Sequence, residues 1–493
     1  MVQGGISTGR SSLLKSEDWW AVWLGGLAFL LGLGQLLGWD LLGWVVKSNV
    51  WVSLTKALEP QSKAYGFMPG WVSLIVTYLF FLVTSSIGAT FMGWNLKKFI
   101  GGFTVIFVLA YGSWLLGSYA HIAATKNTLG NLNINWSLGL TPEAGFIIAL
   151  IVGLLIGNFW TGLARYLEEA AKPELYIKTG IVILGATLGI KALGSMNLAS
   201  TVIVRGLCAI VEAYLIYWPV VYFVSRKWFK MTPEWSAPLA SGISICGVAA
   251  AIATGGAIRS RPQIPIILSS VIIVFVAVEL LFLPWLAESI LYNQPMVAGA
   301  WMGLAVKSDG GAVASGAITE ALITAKALAV NGVKWEPGWI LTVTTVTKVF
   351  IDIFIGIWAF ILAVVWSVFR IDKKSSGEKG GKVSAGEIWE RFPKFVIGYA
   401  CTFLILLLIG LAAPHLTKEA TSAANQANGL RGIYFTLTFF SIGLITNVRK
   451  LWAEGMGKIV LVYAVCLFGF ILWVGLLISW IFYNGIMPPV ITG

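Results

Sequence analysis

The sequence predicts an all-α polytopic membrane protein of about 13 transmembrane helices. Three observations lead there. Of 493 residues, 58% are hydrophobic and only 11% charged, whereas soluble globular domains carry about 25% charged residues. Mean hydropathy is +0.84. Apolar runs long enough to cross a bilayer, about 20 residues each, recur along the whole chain and leave no room for a large soluble domain.

The first run, Trp19 to Trp39, follows Arg10 and Lys15 and lacks a small-x-small cleavage site, so it reads as a retained span. Runs at 71–94 and 100–122 complete an N-terminal group of three, with a partly amphipathic loop at 40–70. Ten more lie at 143–163, 179–194, 200–224, 236–258, 264–290, 297–327, 338–368, 394–413, 430–447 and 458–483. Those at 179–194 and 430–447 are short for a full span, a feature that often accompanies binding sites in transporters. The 24 Trp and 14 Tyr residues suit aromatic belts at the membrane interfaces. The stretch Ile371 to Lys394 is the only long polar linker. It divides the chain into an N-terminal extension (1–139), a first core part (140–370), a cytoplasmic linker (371–394) and a C-terminal core part (395–493).

The net charge of +12 does not point to nucleic acid, because Lys and Arg sit mostly in short loops, where they set orientation. Lys97 and Lys98, then Arg165, Lys172 and Lys178, then Arg226, Lys227 and Lys230 fall on one side. Lys373, Lys374, Lys379 and Lys382 join them, as do Arg449, Lys450 and Lys458. This places the N-terminus in the cytoplasm and the C-terminus outside. Arg259 and Arg261 are the exception, falling outside. Either their segment does not cross fully, or a functional demand overrides the charge rule.

Three constellations carry chemistry. In "SGISICGVAAAIATGGAIRSRP" (241–262) the glycines Gly242, Gly247, Gly255 and Gly256 need a reason, since each costs about 1 kcal/mol in a helix interior relative to Ala. Close helix packing is one reading. The other is a broken helix whose free N–H groups and positive dipole end face a small anion, around Ser244, Cys246, Gly247, Val248 and Ala249. In "GLAVKSDGGAVASG" (303–316), Lys307, Ser308 and Asp309 precede Gly310 and Gly311 inside an interrupted apolar run. Lys307 is the natural countercharge for an anion, unless this is simply a surface loop. In "TTVTKVFIDIF", Lys348 and Asp352 share a helix face as an i,i+4 pair, either structural or coupled to transport. Asp309 and Glu279 are further coupling candidates, and Arg205 and Glu212 form a weaker pair two turns apart. The segments "LGATLGIKALGS" (184–195) and "FSIGLITNVRKLWAEG" (440–455) look alike and run in opposite directions in this topology, as inverted repeats would.

Absences bound the function. Cys208, Cys246, Cys401 and Cys466 lie in apolar runs with no CxxC, so neither a disulfide nor a metal site is expected. There is no GxxxxGK[ST] loop for ATP, no HExxH, no potassium-filter loop and no Arg-rich voltage sensor. No catalytic residue and no cofactor is assigned.

At these residues the chain resembles the YeiH-like sulfate-exporter family of bacterial membrane proteins. "SGISICGVAAAIATGGAIRSR" looks like the family's ICG-small-x-A segment with its short basic stretch. "GLAVKSDGGAVASG" aligns without gaps on a motif that usually reads His, then an acid, then V-A-Q-V-V. "GIVILGATLGIKAL" and "RFPKFVIGYA…FFSIGLITNVRKL" are similar to further family segments. The resemblance covers roughly 140 to 493, with the first three spans as an extension found in a longer subgroup. The chain departs from the pattern at Lys307 (for His), Ser308 (for the acid, with Asp309 one place on) and Gly311 (for Gln). The resemblance implies a carrier of the bacterial inner membrane with inverted repeats and two broken helices, similar in plan to bile-acid/sodium-symporter-like folds.

The leading expectation is a secondary transporter exporting a small anion such as sulfate, a sulfonate or a carboxylate. Coupling to H⁺ or Na⁺, contact with membrane lipid and a homodimer are compatible with it. A passive anion channel, an integral-membrane enzyme acting through Lys307 and Asp309, and an assembly subunit are the alternatives.

Overall fold

A computed structural model describes residues 11–124, 128–138, 140–261, 263–368, 389, 392–447 and 456–491. The chain is helical almost throughout. In order, its main elements are α1 (Glu17–Leu37), a two-stranded antiparallel ribbon of β1 (Val46–Ser48) and β2 (Leu58–Pro60), α2 (Gly70–Phe91) and α3 (Leu96–Gly117). There follow α4 (Ala144–Phe159), α5 (Thr161–Leu167), α6 (Pro173–Gly194), α7 (Met196–Trp228), α8 (Pro233–Ser244), α9 (Val248–Ala257), α10 (Gln263–Leu291), α11 (Pro295–Ala305) and α12 (Asp309–Asn331). The last are α13 (Trp339–Trp366), α14 (Phe395–Ala412), α15 (Thr417–Ile445) and α16 (Gly457–Tyr483).

Among the described residues, 10 single helices are long and apolar enough to cross a membrane, or up to 11 if the α4–α5 pair, bent by 115°, forms one span. The expected runs all fall on helices. The difference from about 13 arises at 143–163 and 236–258, which are broken, and at 430–447. That segment is not short: it is the end of a 29-residue helix that begins at Thr417 with polar turns. Likewise 179–194 is the end of the 22-residue α6, whose first turns carry Pro173, Glu174 and Lys178. Lys178 is tolerated there because its Nζ lies 2.9 Å from Asp18 and 3.3 Å from Glu174.

The chain forms two compact units. Unit 1 comprises residues 1–198 and 394–445, and unit 2 residues 199–393 and 446–493. In unit 1, small residues let helices touch backbone to backbone. A Cβ on Gly153 or Gly157 of α4 would overlap the Phe440 or Leu444 carbonyl of α15, and one on Gly185 of α6 would overlap the Tyr399 carbonyl of α14. Thr402 strengthens that second seam by donating to the Val182 carbonyl at 2.7 Å.

Unit 2 is built differently. α8 and α9 have 12 and 10 residues, about 18 and 15 Å at 1.5 Å per residue, too short for a hydrocarbon core of about 30 Å. They pack side by side: Thr254 donates to Ser241 Oγ at 2.6 Å, and the Arg261 backbone N–H and Nε donate to Glu234 Oε1 at 2.8 and 3.1 Å. The end of α9 thus returns to the start of α8. The segment expected to span at 236–258 instead folds back on itself as a hairpin. Arg261 lies at the same end of the unit as the Arg226–Lys230 loop that precedes α8.

α11 and α12 form a second hairpin. Asn331, ending α12, donates to Asn293 just before α11 at 3.0 Å. The 29-residue α10 runs between the two hairpins, so they enter from opposite ends. Their tips meet at its middle. A Cβ on Gly247 would overlap the Lys307 carbonyl and lie 2.9 Å from Ile272, and one on Gly311 would overlap Val276.

Candidate functional site

The first tip is Ile245–Gly247. Gly247 has φ 64° and ψ −116°, in a region costly for L side chains, and the Lys307 backbone fills the space a Cβ would need. Its glycine therefore serves the break. The second tip is Val306–Ser308, extended between α11 and α12. The residues singled out in the sequence are thus brought together. Ser244, Cys246, Gly247, Val248 and Ala249 lie at one tip, and Lys307, Ser308, Asp309, Gly310 and Gly311 at the other. Lys348 and Asp352 reach in from α13, and Glu279 lies on α10.

Two breaks create four helix ends at the tips inside unit 2, each carrying about half a charge. The C-terminal end of α8 receives Lys348 Nζ, which donates to the Ile245 carbonyl at 2.7 Å. The C-terminal end of α11 receives Lys307 Nζ, which donates to the Leu304 carbonyl and lies 4.3 Å over the Tyr217 ring. The N-terminal end of α12 has Asp309 in its first turn and is capped by Ser308 Oγ, which accepts from the Gly311 N–H at 2.8 Å. The N-terminal end of α9 has no side-chain cap and no acidic residue in its first turn. Ala249 there is exposed, while Ser244, just before the tip, is buried with its hydroxyl unpartnered.

The i,i+4 pair is part of a larger set. Lys348 Nζ lies 4.0 Å from Asp352 and 3.9 Å from Asp309. Cys246, Asp309 and Asp352 place ligand atoms within 4.8 Å of one another, a donor set that suits a cation, and Lys348 brings its own ammonium to it. Arg205 donates to the Phe482 carbonyl at 2.6 Å. Glu212 faces inward instead, toward Tyr217, Gly475 and Lys307. Spacing could not reveal this, because 211–217 winds as π-helix, a local feature frequent at functional sites.

The Conserved hypothetical protein 698 family matches residues 102–462, which include both tips. The chain is 41% identical over 485 residues to a UPF0324 membrane protein of Nitrosomonas europaea, covering 98% of each, so the N-terminal spans are shared with that relative. A UPF0324 membrane protein of Nitratidesulfovibrio vulgaris is 30% identical over 426 residues, 85% of this chain and 64% of its own length. One from Streptococcus agalactiae is 23% identical over 383 residues, 78% and 96% of the two chains. No solved structure matches. The YeiH-like motifs are consistent with this family.

Proposed function

This integral membrane protein belongs to the Conserved hypothetical protein 698 family, and on that premise we propose that it is a secondary carrier of a small anion. Sulfate or a small sulfonate or carboxylate would bind at the first tip, and alternating access would move it across the bacterial inner membrane. Export is the direction the family resemblance suggests. One observation carries the reading: among the described residues, the first turn of α9 has neither a side-chain cap at Gly247 nor an acidic residue of its own, whereas the other three helix ends at the tips take Lys348, Lys307, or Ser308 with Asp309. Such an end favours an anion held by backbone N–H groups, here those of Val248, Ala249 and Ala250, with Ser244 beside them. Lys307 contributes through its field and its backbone rather than by direct contact. The opposed hairpins support an inverted-repeat plan. The return of Arg261 to the end of Arg226, Lys227 and Lys230 supports a cytoplasmic N-terminus and an outer C-terminus.

Proteoliposomes test the proposal. Labelled sulfate, methanesulfonate and acetate are followed with and without unlabelled anion on the far side. Saturable flux that speeds up in counterflow is the expected result. Non-saturating conductance would mean a channel, and no movement of any of the three would remove the substrate class.

A further inference from the structure

Among the described residues, unit 2 buries six Asp, Glu and Lys side chains: Glu212, Glu279, Asp309, Asp352, Lys307 and Lys348, none more than 4% exposed. Four carboxyls face two amines. Fully ionised, the set would hold two uncompensated negative charges in a low dielectric, an expensive arrangement. Lys348 is shared by Asp309 and Asp352, which leaves Lys307 to Glu212 and Glu279. Both of these carboxyls interact with Lys307, yet none of their four oxygens has a hydrogen-bond partner of normal geometry.

The surroundings are made for the pair. π-Helical turns carry Glu212 and Tyr217 on one wall. Gly475 of α16 leaves room for them: a Cβ there would lie 2.8 Å from the Tyr217 hydroxyl and 3.4 Å from Glu212 Oε1. Glu279 enters from α10, and Tyr463 of α16 lies near it with its hydroxyl unpartnered. Cys208 on α7 and Lys348 on α13 complete the titratable and charged groups that face this cluster.

We propose that Glu212 and Glu279, sharing Lys307, form a proton-carrying site, and that the carrier moves this proton together with its anion. The proposal rests on the anion-carrier reading. Lys307 is the link: its carbonyl lies against Gly247 at the anion tip, while its ammonium, held on the Leu304 carbonyl and over the Tyr217 ring, acts on the two carboxyls through its field. An anion at the tip adds negative charge beside the pair, and a held proton offsets it. The step is a simple proton transfer, in which a carboxylate takes a proton from water on one side and returns it to water on the other. Anion and proton then cross in the same direction. An inward proton gradient pulls the anion in, so outward movement needs an anion gradient steep enough to exceed it.

Two measurements test this separately from the substrate question. Infrared spectra of the purified protein at neutral pH are expected to show the carbonyl stretch of a protonated carboxyl, shifted in D₂O. This band should weaken in the isosteric Glu212→Gln, Glu279→Gln double variant, which leaves the Asp309–Asp352 pair in place, with folding checked by gel filtration. No band in wild type, or a band unchanged in the double variant, overturns the proton site whatever is transported. In proteoliposomes with labelled sulfate, the ratio of uptake with and without an inward pH gradient should exceed one in wild type and fall to one in Glu279→Gln. A ratio of one in wild type, or a sodium gradient acting instead, also overturns it. No sulfate movement in wild type counts against the carrier reading, and the infrared result still judges the proton site.

Discussion

Gly247→Ala is the most informative single perturbation. At φ 64° and ψ −116° an L side chain costs on the order of 1–3 kcal/mol. The added Cβ would also overlap the Lys307 carbonyl and lie 2.9 Å from Ile272 Cγ2, and overpacking of this kind costs about 1–3 kcal/mol. The sum is roughly 2–6 kcal/mol, relieved only by driving the two tips apart. The control is Gly432→Ala in α15, where nothing lies within 4 Å of the new Cβ and helix propensity favours Ala by about 1 kcal/mol. Melting of the detergent-purified proteins is followed by tryptophan fluorescence, and anion flux is measured in liposomes. Gly247→Ala should melt well below wild type and lose flux, while Gly432→Ala should melt at or above it. If Gly247→Ala matches wild type in both, the tips do not meet as described.

Other outcomes follow from the same geometry. Lys348→Met leaves Asp309, Asp352 and the Ile245 carbonyl without their cation, and breaking such a buried set costs about 3–5 kcal/mol. Melting should fall steeply and recover in part when Asp309→Asn and Asp352→Asn are added. With the four native cysteines replaced by Ala, Lys230→Cys and Arg261→Cys should react with a membrane-impermeant maleimide from the same side. Labelling from opposite sides would mean that 236–258 crosses the membrane. Glu320 accepts from the Gly338 and Leu341 N–H groups at 2.6 and 3.0 Å where α13 begins. Glu320→Ala should cost about 1–3 kcal/mol, seen as a lower melting temperature.

The helices were legible because membrane spans must be long, apolar and internally hydrogen-bonded. Both breaks were legible too, from glycines and charges set where a helix should be uniform. That 236–258 folds back was not, since a hairpin and a span have the same apolar composition. Only the misplaced Arg259 and Arg261 hinted at it, and the Glu234–Arg261 contact decides it. The Lys348–Asp352 pair could be read from i,i+4 spacing, but Asp309 joins it only through tertiary structure. Glu212 was assigned to Arg205 by regular helical spacing, and π-helical turns at 211–217 move it elsewhere. The repeat motif at 184–195 lies at the end of α6, with its last residue, Ser195, just beyond it. Its partner at 440–455 extends into residues outside those described.

The central claim is that the open N-terminal end of α9 holds the anion. Ala249→Asp tests it, because a carboxylate in the first turn of a helix is itself stabilising by about 0.3–1 kcal/mol and would occupy the place of the ligand. Labelled-sulfate counterflow is compared in wild type, Ala249→Ser and Ala249→Asp, with melting temperatures measured alongside. The account predicts that Ala249→Asp abolishes counterflow without lowering the melting temperature, while Ala249→Ser retains it. Counterflow in Ala249→Asp equal to that of wild type would contradict the account.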